Sequence, residues 1–394
     1  MENDFYIEVG YLQKNHGKER ICGDVFLSQR IKEENRTITV LSDGMGHGVK
    51  ANILATLTAS MAMNFTREHK DVTRIAEIIM NTLPVCSERK ISYSTFTVID
   101  IEMNAKTSIL EYDNPGSFLM RGDKPLEAEW TCLILNSEKN KGKEIKSCQF
   151  QPRKEDRIIF CSDGITQSGM GSKRHPFGWG WNNVQGFITE IIDQQPDISA
   201  QKLAARIINA AFKNDDYNPK DDTSCAVIYF REPRKLLICS GPPYDNENDG
   251  KLAGIVNEFN GRKILSGGTT GDIVARELNV KIKDTFEFHD PDLPPVSYME
   301  GIDLLTEGIL TLSKVSKILN EYNPNYIPGK GPADQIVRLL LESDEIRIII
   351  GTRINIAHQD PNLPVELEIR RTVLKRIARK LEEKFLKEVI VEYI

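Results

Sequence analysis

The sequence predicts an α+β chain in two parts: a strand-rich first segment whose sheets are covered by helices, and an α/β second segment. Three observations predict this. Short runs rich in β-branched and aromatic residues, bounded by turn residues, recur up to Phe230. Helical stretches interrupt these runs without regular alternation, which favours layers of sheet and helix over a βαβ order. Beyond the charged, proline-containing Arg231-Glu-Pro-Arg-Lys235, which has linker chemistry, the pattern changes to strand, glycine loop, helix. A chain of 394 residues is long for a single core, so two domains are expected, 1–231 and 236–394.

In order, FYIEVGYL, DVFLSQR, TITVLS, STFTVIDI, TSILEY, RIIFCS and TSCAVIYF read as strands. Gly48–Phe65 reads as a helix whose Ala51, Ala55 and Ala59 form a small-residue stripe that permits close packing. A second helix spans 72–82 and ends before Pro84, and two more cover 183–194 and 198–213. In the second segment LLICS leads into a Gly/Pro/Asn/Asp-rich loop and a helix. RKILSGGTTGDIVAREL reads as strand, glycine loop and helix, and IRIIIGTR as a buried strand ending in glycine. From Glu366, Leu374, Ile377, Leu381 and Phe385 lie on one stripe of an amphipathic helix, whose basic face reads as solvated surface rather than a membrane anchor. His289-Asp-Pro-Asp-Leu-Pro294 resembles His358-Gln-Asp-Pro-Asn-Leu-Pro364; the match reads as two related turns before it reads as a duplicated half-domain.

Composition bounds the partners. The chain is 40% hydrophobic and 27% charged, with net charge −6, so no global basic field calls for nucleic acid or an anionic membrane. The N-terminal MENDFYIEVG has no basic and apolar regions of a signal peptide, and no uncharged apolar run reaches the ~18 residues of a membrane span. Seven scattered cysteines, none in a C-x-x-C pair, argue against a zinc knuckle or thioredoxin-like site and fit buried thiols in a reducing cytoplasm.

The chemistry concentrates in aspartates at strand ends. Asp24 begins DVFL, Asp43 ends TITVLS and is followed by Gly-Met-Gly-His-Gly, Asp163 follows RIIFCS, and Asp221 and Asp222 precede TSCAVIYF. Any one alone is an ordinary turn, since Asp-Gly is a turn signal. Together they place several carboxylates at one edge of the sheets, where they repel one another unless cations neutralise them. A donor set of oxygens suits a hard cation, Mg²⁺ or Mn²⁺, rather than zinc. Glycine after Asp43 and after Asp163 lets the backbone approach a metal, with its carbonyl as a further ligand.

The order G-D, S-D-G-M-G-H-G-x-x-A, S-D-G, D-D-x-T resembles the bacterial metal-dependent (PPM-type) Ser/Thr protein phosphatases, in particular the stage II sporulation protein E branch. The resemblance covers residues 1 to about 231 and implies an α-β-β-α sandwich followed by the C-terminal α/β domain. It implies two Mn²⁺ or Mg²⁺ ions bridged by Asp43, with the Gly44 carbonyl, Asp163 and Asp221 as further ligands. Asp24, counted with Asp43 as catalytic, would act through water, and Asp222 would stand behind the ligands. His47 reads either as a donor to phosphate or as a surface histidine. Ser94-Thr-Phe96 and Asn114-Pro-Gly116 match structural blocks of the pattern, although the second lacks a histidine found in relatives, and the basic phosphate-binding residue of eukaryotic members cannot be placed. Cys161, beside Asp163, reads as packing.

The implied activity is hydrolysis of a phosphorylated protein, an anti-anti-sigma-like substrate being one candidate, under control of the C-terminal domain, a small molecule or a protein regulator. The helices 48–66 and 72–82 would act as the switch. Two rival readings remain: an inactive phosphatase-fold scaffold, and a C-terminal nucleotide or anion sensor served by the first domain. For the latter, Gly267, Gly268, Thr269, Thr270 and Gly271 in Ser266–Asp272 offer backbone amides to an anion, or simply make a tight turn. The oligomeric state is not legible.

Overall fold

A computed structural model describes residues 5–68, 72–82, 94–102, 106–135, 140–322, 326–353, 365–385 and 387–394, in two units, Met1–Glu232 and Pro233–Ile394. Pro84, Cys86 and the stretch His358–Pro364, with its resemblance to His289–Pro294, lie outside the described residues.

The first unit is built on two antiparallel sheets. One joins β1 (Tyr6–Lys14), β11 (Thr223–Arg231), β10 (Asp156–Cys161), β6 (Phe118–Arg121) and β7 (Lys124–Pro125), in that order. The other joins β2 (Asp24–Ile31), β3 (Arg36–Gly44), β4 (Ser94–Glu102), β5 (Thr107–Tyr112), β9 (Glu144–Phe150) and β8 (Trp130–Ile134). Alternation along the strands sends one set of side chains between the sheets and the other set outward. Leu41, Ile99, Ile101 and Ile109 meet Ile158, Phe160, Ile228 and Phe230 in the inner layer.

Each outer face is then covered by helices. Helices α1 (Gly48–Arg67) and α2 (Val72–Thr82) pack Ala59, Ala62, Met63, Ile75 and Ile79 on Ile38, Val40 and Val98. On the other side, α4 (Trp181–Gln194) and α5 (Ala200–Asn214) pack Val184, Ile188, Leu203 and Ile207 on Ile159, Cys161 and Val227; the short α3 spans Asp163–Thr166. The result is an α-β-β-α sandwich. The alanine stripe sets the closeness of one layer: Ala51, Ala55 and Ala59 are all fully buried.

The second unit is α/β. Its parallel strands are β12 (Lys235–Ser240), β13 (Arg262–Ser266), β16 (Ile302–Thr306), β17 (Glu345–Ile350) and β18 (Glu388–Tyr393), arranged β16-β13-β12-β17-β18, with the antiparallel β15 (Ser297–Met299) and β14 (Ile282–Asp284) on the β16 edge. Successive residues of β12 point to opposite faces. Leu237 and Cys239 meet α6 (Asp249–Glu258) and α7 (Gly268–Leu278), while Leu236 and Ile238 meet α8 (Ile309–Glu321), α9 (Pro332–Glu342) and α10 (Val365–Phe385). A sheet buried on both faces explains the continuous apolar runs LLIC and IRIII. No helix among the described residues is long and apolar enough to cross a membrane.

Candidate functional site

Both sheets of the first unit deliver acids to the same place. Asp24 and Asp43 face each other across the β2–β3 pair. On the other sheet β10 and β11 end together, with the Ser162 amide bonded to the Ser224 carbonyl, and this pairing carries Asp163 and Asp222. A serine ties the two sheets: Ser162 Oγ donates to Asp24 Oδ2 at 2.7 Å and accepts the Ser224 amide at 3.0 Å. Ser94 Oγ, from the S-T-F block, donates to the Asp43 carbonyl at 2.8 Å. Asn114 links Thr95 and Thr97 of β4.

Close approach here requires glycine. A Cβ on Gly44 would stand 2.1 Å from the Ala51 carbonyl oxygen, so α1 lies directly on the turn after Asp43. One on Gly164 would stand 2.1 Å from the Asp222 carbonyl oxygen. Gly44 and Gly164, which follow Asp43 and Asp163, are thus geometric necessities of this close packing.

The electrostatics are those of mutually repelling carboxylates. Asp24 is 1% exposed, and burial pushes its carboxyl up to about 7, against the hydrogen bonds from Ser162 and Ser224. Burial, then the charges of Asp24, Asp163 and Asp221, hold Asp43 well above the carboxylate range. Burial also raises Asp163, against its interactions with Asp43 and the Gly164 amide, and the charge of Asp113 raises it further. Asp221 is pushed up to about 6, by burial first and by Asp163 next.

Two buried oxygens, Asp24 Oδ1 and Asp222 Oδ2, have no hydrogen-bond partner among the described residues. Among those residues no three His, Cys, Asp or Glu side chains already converge on one point as a metal cage. The donor chemistry fits a hard divalent cation: oxygens only, two of them buried and unsatisfied, and a glycine carbonyl beside Asp43.

Asp24, Asp43, Gly44, Asp163, Asp221 and Asp222 are therefore brought together. Asp222 accepts the His16 amide at 3.0 Å and its own amide donates to Asp221 Oδ1 at 2.9 Å. His47 caps α1 at the surface and meets Glu19 at 2.8 Å. Cys161 is buried in the helix-covered core, where burial drives its thiol upward, consistent with packing.

Several contributors had no signal in the sequence. Asp113, in the left-handed region at φ 58° after β5, adds its charge to Asp163. Gln167 Nε2 donates to Asp163 Oδ2 at 2.6 Å, one helical turn along the chain. Ser162, His16 and Glu19 are ordinary in composition and acquire meaning only from across-sheet contacts; S-D-G alone hinted at Ser162.

In the second unit the expected glycine loop is shorter than the sequence suggested. Gly267, at φ 118°, turns the chain directly into α7, so Gly268, Thr269, Thr270 and Gly271 form its first turn. Gly267 donates to the Thr306 carbonyl at 2.8 Å and Gly271 to the Gly267 carbonyl at 3.1 Å. Thr270 is buried, and its hydroxyl accepts the Gly241 amide at 2.8 Å. The adjoining cleft of about 380 Å³ carries Asp272, Asp284 and Glu307 and no basic residue, a lining that opposes an anion. Of the expected anion-binding amides, those of Gly267 and Gly271 are thus engaged by the protein itself, as is the Thr270 hydroxyl.

Residues 33–231, just over half of the chain, match the sequence profile of the family described as stage II sporulation protein E (SpoIIE). Nothing among curated proteins matches the chain. The phosphatase domain of the cell fate determinant SpoIIE from Bacillus subtilis, in a crystal form without domain swapping, is 16% identical with a TM-score of 0.45, over 59% of this chain and 95% of that one. The PP2C phosphatase domain with a fragment of the regulatory domain of the same Bacillus subtilis protein is 17% identical with a TM-score of 0.48, over 58% of this chain and 62% of that one. RsbX in complex with magnesium is 18% identical with a TM-score of 0.40, over 58% of this chain and 98% of that one. The profile spans the Asp43, Asp163 and Asp221–Asp222 turns in order, and with them the chain belongs to the stage II sporulation protein E family.

Proposed function

We propose that residues 1–231 form a divalent-metal-dependent phosphatase acting on phosphoserine or phosphothreonine of a protein, and that residues 236–394 form a regulatory or ligand-binding domain. The observation that carries this is the group of carboxylates Asp24, Asp43, Asp163 and Asp221, gathered from both sheets with no Lys or Arg ion pair to any of them among the described residues. Asp43, the Gly44 carbonyl, Asp163 and Asp221 would hold two Mg²⁺ or Mn²⁺ ions; RsbX, a solved structure of this fold, was determined with magnesium. Bound there, such ions lower the pKa of a water and neutralise phosphoryl oxygens.

The chain's own groups do the rest. Ser162 occupies Asp24 Oδ2 and leaves Oδ1 to accept a proton from water, a role suited to a carboxyl whose pKa is about 7. Ser94 and the packing of Ala51 against Gly44 hold the Asp43 turn rigid. Asp222 orients Asp221 through its amide, and no cysteine or serine nucleophile is needed.

Regulation would act through α1, which rests on the Asp43 turn and carries an exposed apolar stripe of Val49, Ile53 and Leu57 on its outer face. A partner protein there, or the C-terminal domain, would bias the helix. An anti-anti-sigma-like phosphoprotein is the proposed substrate, by family analogy. Hydrolysis of p-nitrophenyl phosphate with Mn²⁺ should occur in the wild type and vanish in Asp43→Asn. Metal-bound protein that hydrolyses neither this ester nor a phosphopeptide would instead favour the scaffold reading.

A further inference from the structure

Two histidines stand beside the carboxylates. The His16 and His47 rings stack nearly parallel, with centroids 4.4 Å apart and 10° between their planes. Each ring is held at Nδ1. His47 Nδ1 lies 2.8 Å from Glu19 Oε1, so its hydrogen points to that carboxylate. His16 Nδ1 accepts the backbone N–H of Lys18 at 3.2 Å, which leaves the ring hydrogen on Nε2. The His16 amide is itself bonded to Asp222 Oδ1 at 3.0 Å, and the residue sits close enough to Asp221 to act on its charge. The ring is thus fixed at the rim of the acidic cluster, and its Nε2–H has no partner among the described residues.

A phosphate monoester approaching this cluster needs hydrogen-bond donors, and the aspartates offer none. Lys220, beside Asp221, is tied through Nζ to the Met170 carbonyl at 2.7 Å. We propose that His16 is the phosphoryl-recognition residue: its Nε2–H donates to a non-bridging oxygen of the phosphate monoester. His47, fixed by Glu19, is the positioning residue that holds the His16 ring by stacking. The assignment rests on the phosphatase reading for its substrate, and the phosphate-binding part is measurable without turnover.

The test uses the full-length protein with Mn²⁺, titrated calorimetrically with inorganic phosphate and assayed with p-nitrophenyl phosphate. His16→Ala should weaken phosphate binding and lower kcat/KM by about tenfold or more, as for loss of a hydrogen bond to a charged group. His16→Gln, whose amide nitrogen reaches near the Nε2 position, should restore most of both, whereas His16→Asn should not. Glu19→Gln should show a smaller loss, and the Mn²⁺ titration midpoint should be the same in all variants. Equal phosphate affinity in His16→Ala, no rescue by Gln, no phosphate binding by the wild type, or a shifted Mn²⁺ midpoint in His16→Ala each overturns the assignment. A wild type that binds phosphate through His16 yet hydrolyses no ester sinks the phosphatase reading and leaves the phosphate subsite standing.

Discussion

Buried acids in the C-terminal unit come with counter-charges or donors, whereas the deepest acids of the N-terminal unit face one another. Asp290 meets Lys314 at 2.7 Å, Asp249 meets Arg276 at 2.5 Å, and Asp344 accepts the Arg234 amide at 2.8 Å. The N-terminal unit follows the same rule away from its site, where Arg36 grips Asp100 and Arg121 grips Asp156 through paired hydrogen bonds. The exception is therefore local. Burying acids that face one another without a counter-charge is costly, which is why a cation supplied from outside is proposed for this group.

The largest break in this comparison should come from Asp43→Asn. Hydrolysis should fall by more than about a hundredfold, since even the outer partners of metal ligands cost about 10–100-fold. The same change should raise the melting temperature of the metal-free protein, because the cost of burying Asp43 among other acids, whether as repulsion or as proton uptake, is removed. Asp156→Asn supplies the contrast: it strips Arg121 of its partner and should cost about 2 kcal/mol in denaturant unfolding. A fall in the metal-free melting temperature of Asp43→Asn would refute the contrast.

Gly44→Ala tests the packing side of the site. Its Cβ would collide with the Ala51 carbonyl oxygen at 2.1 Å, so α1 must move and hydrolysis should drop nearly as far, this time with a lower melting temperature.

The pH dependence follows next. Asp24 titrates at about 7 and Asp221 at about 6 when folded, above the roughly 4 of an unfolded aspartate. Over that window the folded state binds more protons, so their contribution to stability is fully present below pH ~4 and is lost as pH rises through 6 and 7. Thermal melts of the metal-free protein should fall from about pH 5 to about pH 8, and Mn²⁺ should flatten the trend. Metal-free melts that rise over this range would count against the carboxylate cluster.

The smallest effect is expected at α1. Ala55→Leu inserts three carbons into a fully buried contact and should cost about 1–3 kcal/mol, with a weaker Mn²⁺ midpoint if the helix governs the Asp43 turn. Unchanged metal-dependent kinetics would separate that helix from control of the site.

Much of the N-terminal unit was legible because its strands are long, apolar and bounded by turns; TITVLS and RIIFCS lie in β3 and at β10. Strands β6, β8 and β9 escaped notice, being short or, like Glu144–Phe150, alternately charged on an exposed face. In the C-terminal unit α8, α9 and β18 gave no motif, and their burial follows from the sheet they cover or extend. Ser266–Asp272 reads as a loop because glycine and threonine are poor helix formers, yet the turn at Gly267 commits the chain to α7 at once.

The sequence by itself determined that Asp24, Asp43, Asp163 and Asp221 would sit at strand ends, since each acid borders an apolar run and two are followed by glycine. Their meeting was decided by the tertiary structure, through the Ser162 bridge between sheets and the close seat of Ala51 on Gly44. The same holds for the recruitment of Asp113, Gln167 and the His16–His47 stack. Local periodicity records which face of an element is buried; what that face meets is set by contacts between residues far apart in the chain, and a single sequence does not carry them.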